Sequence, residues 1–171
     1  MTVRRTRKGG FTLVEILIVV IILGILAAIV IPQFTSASQD ARKNSLTSQL
    51  QTLRSQIELY KLQHLDQLPT TLVGATPNWD QFINKTNNQG ATGTTSAFPF
   101  GPYLQSAPTN SLNAQTGILT VTADQTLGGA VTGGSNKGFV FNTVNGKIWA
   151  TSAKYGYIYD ESTPSSTAND N

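Results

Sequence analysis

Cysteine is absent from this 171-residue sequence, and histidine occurs once, as His64. The absence of cysteine excludes disulfide bonds, redox-active thiol pairs and thiolate metal sites, and a single histidine excludes a metal site built on several histidines. Charged residues are also scarce, at 12% of the chain, which is about half their share in an average soluble domain. The composition therefore argues against an enzyme, and we expect no catalytic residues.

The positive charge is concentrated at the N-terminus. Four of the twelve Lys and Arg residues are Arg4, Arg5, Arg7 and Lys8, which leaves eight basic residues against nine acidic ones in the rest of the chain. A nucleic-acid-binding domain needs a basic face on its folded body. We therefore expect no nucleic-acid partner.

An unbroken run of sixteen apolar residues occupies positions 16–31. Counted from Phe11, the segment is interrupted only by Thr12 and Glu15. A helix over these 21 positions is roughly 32 Å long, which is enough to cross the hydrocarbon core of a bilayer. Basic residues directly before it favour a cytoplasmic N-terminus and an exported body. The segment predicts a single-pass anchor in the inner membrane, with the globular body in the periplasm.

Three simpler interpretations of this segment compete with each other. A buried core helix has no need of the preceding basic run, and a plain membrane anchor gives no role to Gly9, Gly10 or Glu15. A cleaved secretory signal, with Ala27 as a cleavage residue, matches the basic and apolar regions, but Glu15 is costly inside them. A secreted binding protein with a cleaved signal peptide is kept as a distant alternative.

The residue order itself is more specific. Residues 7–34 read RKGGFTLVEILIVVIILGILAAIVIPQF, which closely resembles the leader and first helix of type IV pilins and type II secretion pseudopilins, the substrates of prepilin peptidase. The resemblance implies that residues 1–10 are a leader peptide, that cleavage falls between Gly10 and Phe11, and that the Phe11 amine is then methylated. Residues 11–32 are then the transmembrane and filament-core helix, with Pro32 matching the proline at its end.

Glu15 becomes the fifth residue of the mature chain, where this family almost always has glutamate. A carboxylate inside the bilayer is unfavourable, and we expect Glu15 to have no partner in its own helix, because the nearest basic residues leave with the leader. The resemblance implies that the Phe11 amine, its own or that of a neighbouring subunit, pairs with Glu15 during filament assembly.

Beyond Pro32 the apolar residues recur at helical spacing as far as Tyr60, which predicts an amphipathic helix over 33–68, ended by Pro69. Residues 69–163 predict a globular loop and β-sheet region with a short helix over 79–85, a strand over 118–122, and a strand over 155–159. Between these strands, Asn145-Gly146 joins two β-rich runs, which indicates a hairpin with a type I′ turn. The predicted fold class is α+β, a long N-terminal helix packed on a small antiparallel sheet, and residues 164–171 predict a flexible tail.

The segment GPYLQSAPTNSLN at 101–113 also resembles the major type II secretion pseudopilin, with Ser111 where a proline is usual. The resemblance implies a structural subunit of a pseudopilus that drives protein export across the outer membrane. Its implied partners are prepilin peptidase, identical subunits, minor pseudopilins and an inner-membrane assembly platform, and its final location is a periplasmic or extracellular filament. The alternative is a type IV pilin for adhesion, motility or DNA uptake, although many pilins have a C-terminal disulfide and this chain has no cysteine.

Major pseudopilins commonly hold a calcium ion beside the sheet. Here the loop from Asp124 to Lys137 has a single carboxylate, and calcium prefers several oxygen ligands. We therefore expect weak calcium binding or none, with Asp124 as the only candidate ligand and no other cofactor. His64 and the adjacent Asp160 and Glu161 are expected to be solvated.

Overall fold

The computed structural model describes residues 10–134, 136–153 and 156–162, so the predicted tail at 164–171 lies outside the described residues. The helices are α1 (Leu13–Gln63), α2 (Thr70–Val73) and α3 (Asp80–Ile83). The strands are β1 (Lys85–Thr86), β2 (Thr92–Gly93), β3 (Ile118–Val121), β4 (Phe139–Asn142) and β5 (Ile148–Ala150). The chain divides into two units, residues 1–39 and residues 40–171, and the sequence of α1 spans the boundary between them.

The described part of the first unit is helical from Leu13 onward. The helix continues through Gly24 and Pro32, although each weakens an isolated helix. After the proline, the hydroxyls of Thr35 and Ser36 donate to the carbonyls four residues earlier, at 3.1 and 3.2 Å. Within the described residues, α1 is the one helix long and apolar enough to cross a membrane, with a mean hydropathy of 3.3 over its most apolar window.

The second unit is built around one face of α1. Its buried residues recur at intervals of four and three, which places them on one stripe of the helix: Leu46, Leu50, Leu53, Ile57 and Tyr60. They share a core with aromatic residues of α3 and of the sheet, among them Phe82, Phe139 and Phe141. Each such side chain contributes roughly 1.5–3 kcal/mol by leaving water, so this stripe fixes the helix on the sheet.

The main sheet has the order β3-β4-β5, with β4 in the centre. β4 and β5 are antiparallel, with Phe139 opposite Ala150, whereas β3 and β4 are parallel, with Ile118 opposite Phe139. The α+β class is confirmed, but the prediction of a purely antiparallel sheet is wrong for this pair. β3 ends at Val121 and β4 begins at Phe139, a separation long enough for the connection that two parallel neighbours require.

The hairpin is confirmed, but its turn differs from the prediction. The loop between β4 and β5 has five residues, 143–147, and of these only Gly146 has a positive φ, at 76°. Asn142 is the last residue of β4. Its side-chain oxygen accepts a hydrogen bond from the Val144 amide at 2.8 Å, which stabilises the start of this wider turn. A type I′ turn on Asn145-Gly146 is therefore wrong.

The predicted strand over 155–159 lies partly outside the described residues. Its described part makes isolated bridges, Tyr157 with Ala130 and Ile158 with Thr151. These residues therefore pair with neighbouring backbone without forming a regular strand. The predicted strand at 118–122 is confirmed as β3, and the predicted helix at 79–85 shortens to α3 because β1 takes up Lys85.

α1 ends at Gln63, five residues before the predicted end at Leu68. Leu65 and Asp66 follow with positive φ values of 55° and 63°, which end the helix in a left-handed turn. The His64 side chain is only 1% exposed, stacks on Tyr60 with ring centroids 3.8 Å apart, and contacts the Thr86 hydroxyl at 3.1 Å. The expectation of a solvated His64 is therefore wrong.

Candidate functional site

The bond between Gly10 and Phe11 lies outside α1, which begins at Leu13. Both residues are exposed, Phe11 at 85%, and a side-chain carbon at Gly10 would meet no atom within 4 Å. A peptidase needs accessible, non-helical backbone on both sides of the bond it cleaves. The local geometry is compatible with such cleavage.

Thr12 and Glu15 form a reciprocal cap at the start of α1. The Thr12 amide and hydroxyl both donate to Glu15 Oε2 at 2.9 Å, and the Glu15 amide donates to the Thr12 hydroxyl at 3.2 Å. This is the capping box expected from a Thr-x-x-Glu sequence, and it satisfies backbone donors that the first helical turn leaves free. Thr12 is thus a hydrogen-bond partner of Glu15 at the start of α1, which corrects the expectation that Glu15 has no partner in its own helix.

The apolar segment presents side chains on every side of the helix. Seventeen large apolar residues between Phe11 and Phe34 are 50–85% exposed. Keeping this surface in water costs on the order of 20 kcal/mol, at about 1 kcal/mol for each half-exposed side chain. A helix that is apolar all round is stable only in lipid or against other apolar helices.

Asp124 follows β3, and its carboxylate is surrounded by hydrogen-bond donors. Oδ1 accepts from the side-chain amides of Asn142 at 3.0 Å and of Asn145 at 2.7 Å, and Oδ2 pairs with the Lys147 ammonium. Hydrogen bonds from Lys147 and then Asn145 are the main causes that hold the pKa of Asp124 below its ordinary value. Both oxygens of the candidate calcium ligand are thus already engaged.

Calcium requires six to eight oxygen ligands directed at one point. The residues around Asp124 direct N–H groups at it instead. Within the residues that the structure describes, no group of three or more His, Cys, Asp and Glu could hold a metal ion. The donor set at Asp124 therefore does not fit a calcium site.

The adjacent acidic residues near the C-terminus do not act together. Glu161 forms a two-pronged ion pair with Arg54 of α1, with nitrogen–oxygen distances of 2.8 and 2.5 Å, and Arg54 also donates to the Ile148 carbonyl at 3.0 Å. Asp160 accepts hydrogen bonds from Ser162. The expectation of a solvated pair is wrong for Glu161, which is ion-paired with Arg54 of α1.

The sequence interpretation missed the role of Asn110. Its side chain is fully buried, and its amide nitrogen donates to the carbonyls of Gly138 at 2.8 Å and Thr151 at 2.7 Å. Its oxygen accepts from the Leu112 amide at 2.8 Å. Asn110 therefore joins the 101–113 segment to the start of β4 and the end of β5. The only signal was its place in the segment that carried the family resemblance.

The N-terminal segment matches a family of known proteins. Residues 5–31 match the family model described as the prokaryotic N-terminal methylation motif. The chain is 41% identical over 68 residues to the type II secretion system core protein G of Dickeya chrysanthemi, covering 40% of this chain and 44% of the relative. It is 34% identical over 82 residues to that of Aeromonas hydrophila, covering 48% and 54%, and 39% identical over 61 residues to that of Pseudomonas aeruginosa, covering 36% and 43%.

The chain spans about half the length of the curated relatives it matches. No solved structure matches it. The methylation motif covers Gly10, Phe11 and Glu15 and ends one residue before Pro32. The chain therefore carries the prokaryotic N-terminal methylation motif, and the predicted resemblance to the major type II secretion pseudopilin is confirmed over part of its length.

Proposed function

We propose that this protein is a structural subunit of a type II secretion pseudopilus. In this proposal prepilin peptidase cleaves the chain between Gly10 and Phe11 and methylates the new amine. The mature subunit then leaves the inner membrane and joins a helical filament of identical subunits and minor pseudopilins, built on an inner-membrane platform, that drives protein export across the outer membrane. The division into leader (1–10), core helix (11–32), amphipathic helix (33–68) and body (69–163) is part of the proposal.

The single observation that carries the proposal is the all-round apolar helix headed by a capped Glu15. A membrane anchor needs apolar surface but has no use for a carboxylate one turn into it. In a filament core, neighbouring helices cover the apolar surface, and Gly24, Ala27 and Ala28 permit their close approach. The cationic amine of Phe11 then lies on the segment that carries the carboxylate, where the two can pair.

The names of the relatives favour a pseudopilus over a pilus. Each of the three relatives compared is named type II secretion system core protein G. Deletion of the gene in its host should trap exported proteins in the periplasm, and re-expression should restore their release. Loss of adhesion, motility or DNA uptake with normal export would instead establish the pilin alternative.

The processing step is tested by mass spectrometry of the N-terminus. We expect a chain that begins at Phe11 and carries one added methyl group. A start at Ala28 would establish a secretory signal, and an intact Met1 would leave a plain anchor. Either result would refute the proposed processing.

Gly10→Val separates peptidase recognition from folding. A side chain at Gly10 meets no atom within 4 Å, so this variant should fold and enter the membrane normally while cleavage falls. Gly24→Ala is the matched control, because Gly24 also has open space around it, and it should be cleaved like the wild type. Equal cleavage of Gly10→Val and the wild type would show that Gly10 does not define the cleavage site.

A further inference from the structure

The side-chain ammonium of Lys147 joins the β4–β5 hairpin to the loop after β3. Asp124 supplies the carboxylate from the loop, and Asn142, Asn145 and Lys147 supply the donors from the hairpin. We propose that the Lys147 ammonium is the resident cation of this site and replaces a bound divalent ion, so that the closed loop needs no metal.

The orientation of the two asparagines supports this assignment. The side-chain oxygen of Asn142 accepts from the Val144 amide at 2.8 Å, and that of Asn145 accepts from the Lys147 amide at 3.0 Å. Because the turn engages both oxygens, each side chain can only direct its NH₂ group toward Asp124. A metal ion placed beside Asp124 would meet these N–H groups rather than oxygen ligands.

Charge leads to the same conclusion. A divalent ion held by one carboxylate keeps an excess positive charge, whereas Lys147 neutralises Asp124 one to one. Displacing Lys147 would also leave its ammonium close to the incoming ion. The hairpin sequence Asn142-x-x-Asn145-x-Lys147 therefore builds a site for an acidic side chain, and Asp124 occupies it.

Hydrogen exchange of the full-length chain in detergent micelles tests the assignment. The probe is the exchange rate of backbone amides over 122–131, measured with calcium chloride and again with a chelator. We expect the two rates to agree in the wild type. A loop that exchanges more than about twofold slower with calcium would overturn the proposal, because a metal would then be completing the site.

Lys147→Met removes the ammonium and keeps the length of the side chain. Since Asp124 and Lys147 are about half exposed, we expect these amides to exchange about two- to fivefold faster, as loss of a partly exposed pair predicts. Lys85→Met, at an exposed lysine of β1, is the matched control and should leave the loop unchanged. Equal loop exchange in the two variants would overturn the proposal.

A double-mutant cycle separates this pair from general destabilisation. Asp124→Asn should accelerate exchange like Lys147→Met, and the double variant should exchange no faster than either single variant, because the same contact is lost in each case. Multiplicative effects in the double variant would show that Lys147 does not act through Asp124.

Discussion

Replacement of Asn110 by alanine removes the buried side chain that joins residues 101–113 to both ends of the hairpin. Three hydrogen bonds are lost. The Gly138 carbonyl keeps the Thr151 amide as a donor, at 3.0 Å, so the groups that lose their described partner are the Thr151 carbonyl and the Leu112 amide. Each such group costs about 1–3 kcal/mol. We therefore expect the free energy of unfolding to fall by about 2–6 kcal/mol.

Urea unfolding of the full-length chain in detergent measures this change. Trp79 and Trp149, both nearly buried in the second unit, provide a fluorescence signal for that unit. Asn84→Ala is the control, because Asn84 is exposed and bonds only its own turn; its effect should stay within about 0.5 kcal/mol.

Asn110→Asp tests the hydrogen-bonding argument at nearly constant shape. The second carboxylate oxygen would face the carbonyl oxygens of Gly138 and Thr151, which now receive the amide N–H groups. We expect Asp to destabilise the fold at neutral pH at least as much as alanine, since a buried charge would lack donors. Wild-type stability of the Asp variant would refute the proposed role of Asn110.

Two further predictions concern alkaline pH and the hairpin turn. Burial raises the pKa of Tyr60 to about 12, and burial also raises the pKa of Tyr103. Between pH 10 and 12 these tyrosines ionise in the unfolded chain before they do so in the folded protein, so the free energy of unfolding should fall by about 2–3 kcal/mol, as measured by urea titrations. Tyr60→Phe should remove most of that loss. Gly146→Ala should cost about 1–2 kcal/mol because of the positive φ and a Cβ 2.6 Å from a methyl carbon of Leu68, whereas Gly74→Ala, at a φ of −66°, should be nearly neutral in the same assay.

The elements that the sequence predicts best are those fixed by a local pattern. The apolar run, the stripe from Leu46 to Tyr60 and the two runs around Asn145-Gly146 each contain their own periodicity or turn signal. They emerge as α1, its buried face and the β4–β5 hairpin. The motif at residues 7–34 also carries the family resemblance, which needed no tertiary information.

The errors occur where tertiary contacts override local preference. No sequence pattern predicts that His64 stacks on Tyr60 and contacts Thr86, or that α1 ends at Gln63. The parallel pairing of β3 with β4 joins residues 21 positions apart in sequence, such as Ile118 and Phe139, and no local pattern specifies it. The donors around Asp124 come from residues 18–23 positions away in sequence. A search of the sequence for carboxylate ligands does not identify them, because they are amide and ammonium groups.

Glu15 combines two roles that substitution can separate. Glu15→Gln keeps an oxygen that accepts from the Thr12 amide and hydroxyl, so helix capping should persist, but the charge that would pair with the Phe11 amine is lost. We therefore expect normal membrane insertion and cleavage and a loss of sheared or cross-linked filaments. Thr12→Val is the matched control, because it removes the hydroxyl from the cap and keeps the Glu15 charge, and its filaments should form. Normal filaments from Glu15→Gln would refute charge pairing, and filament loss from Thr12→Val alone would assign assembly to the cap.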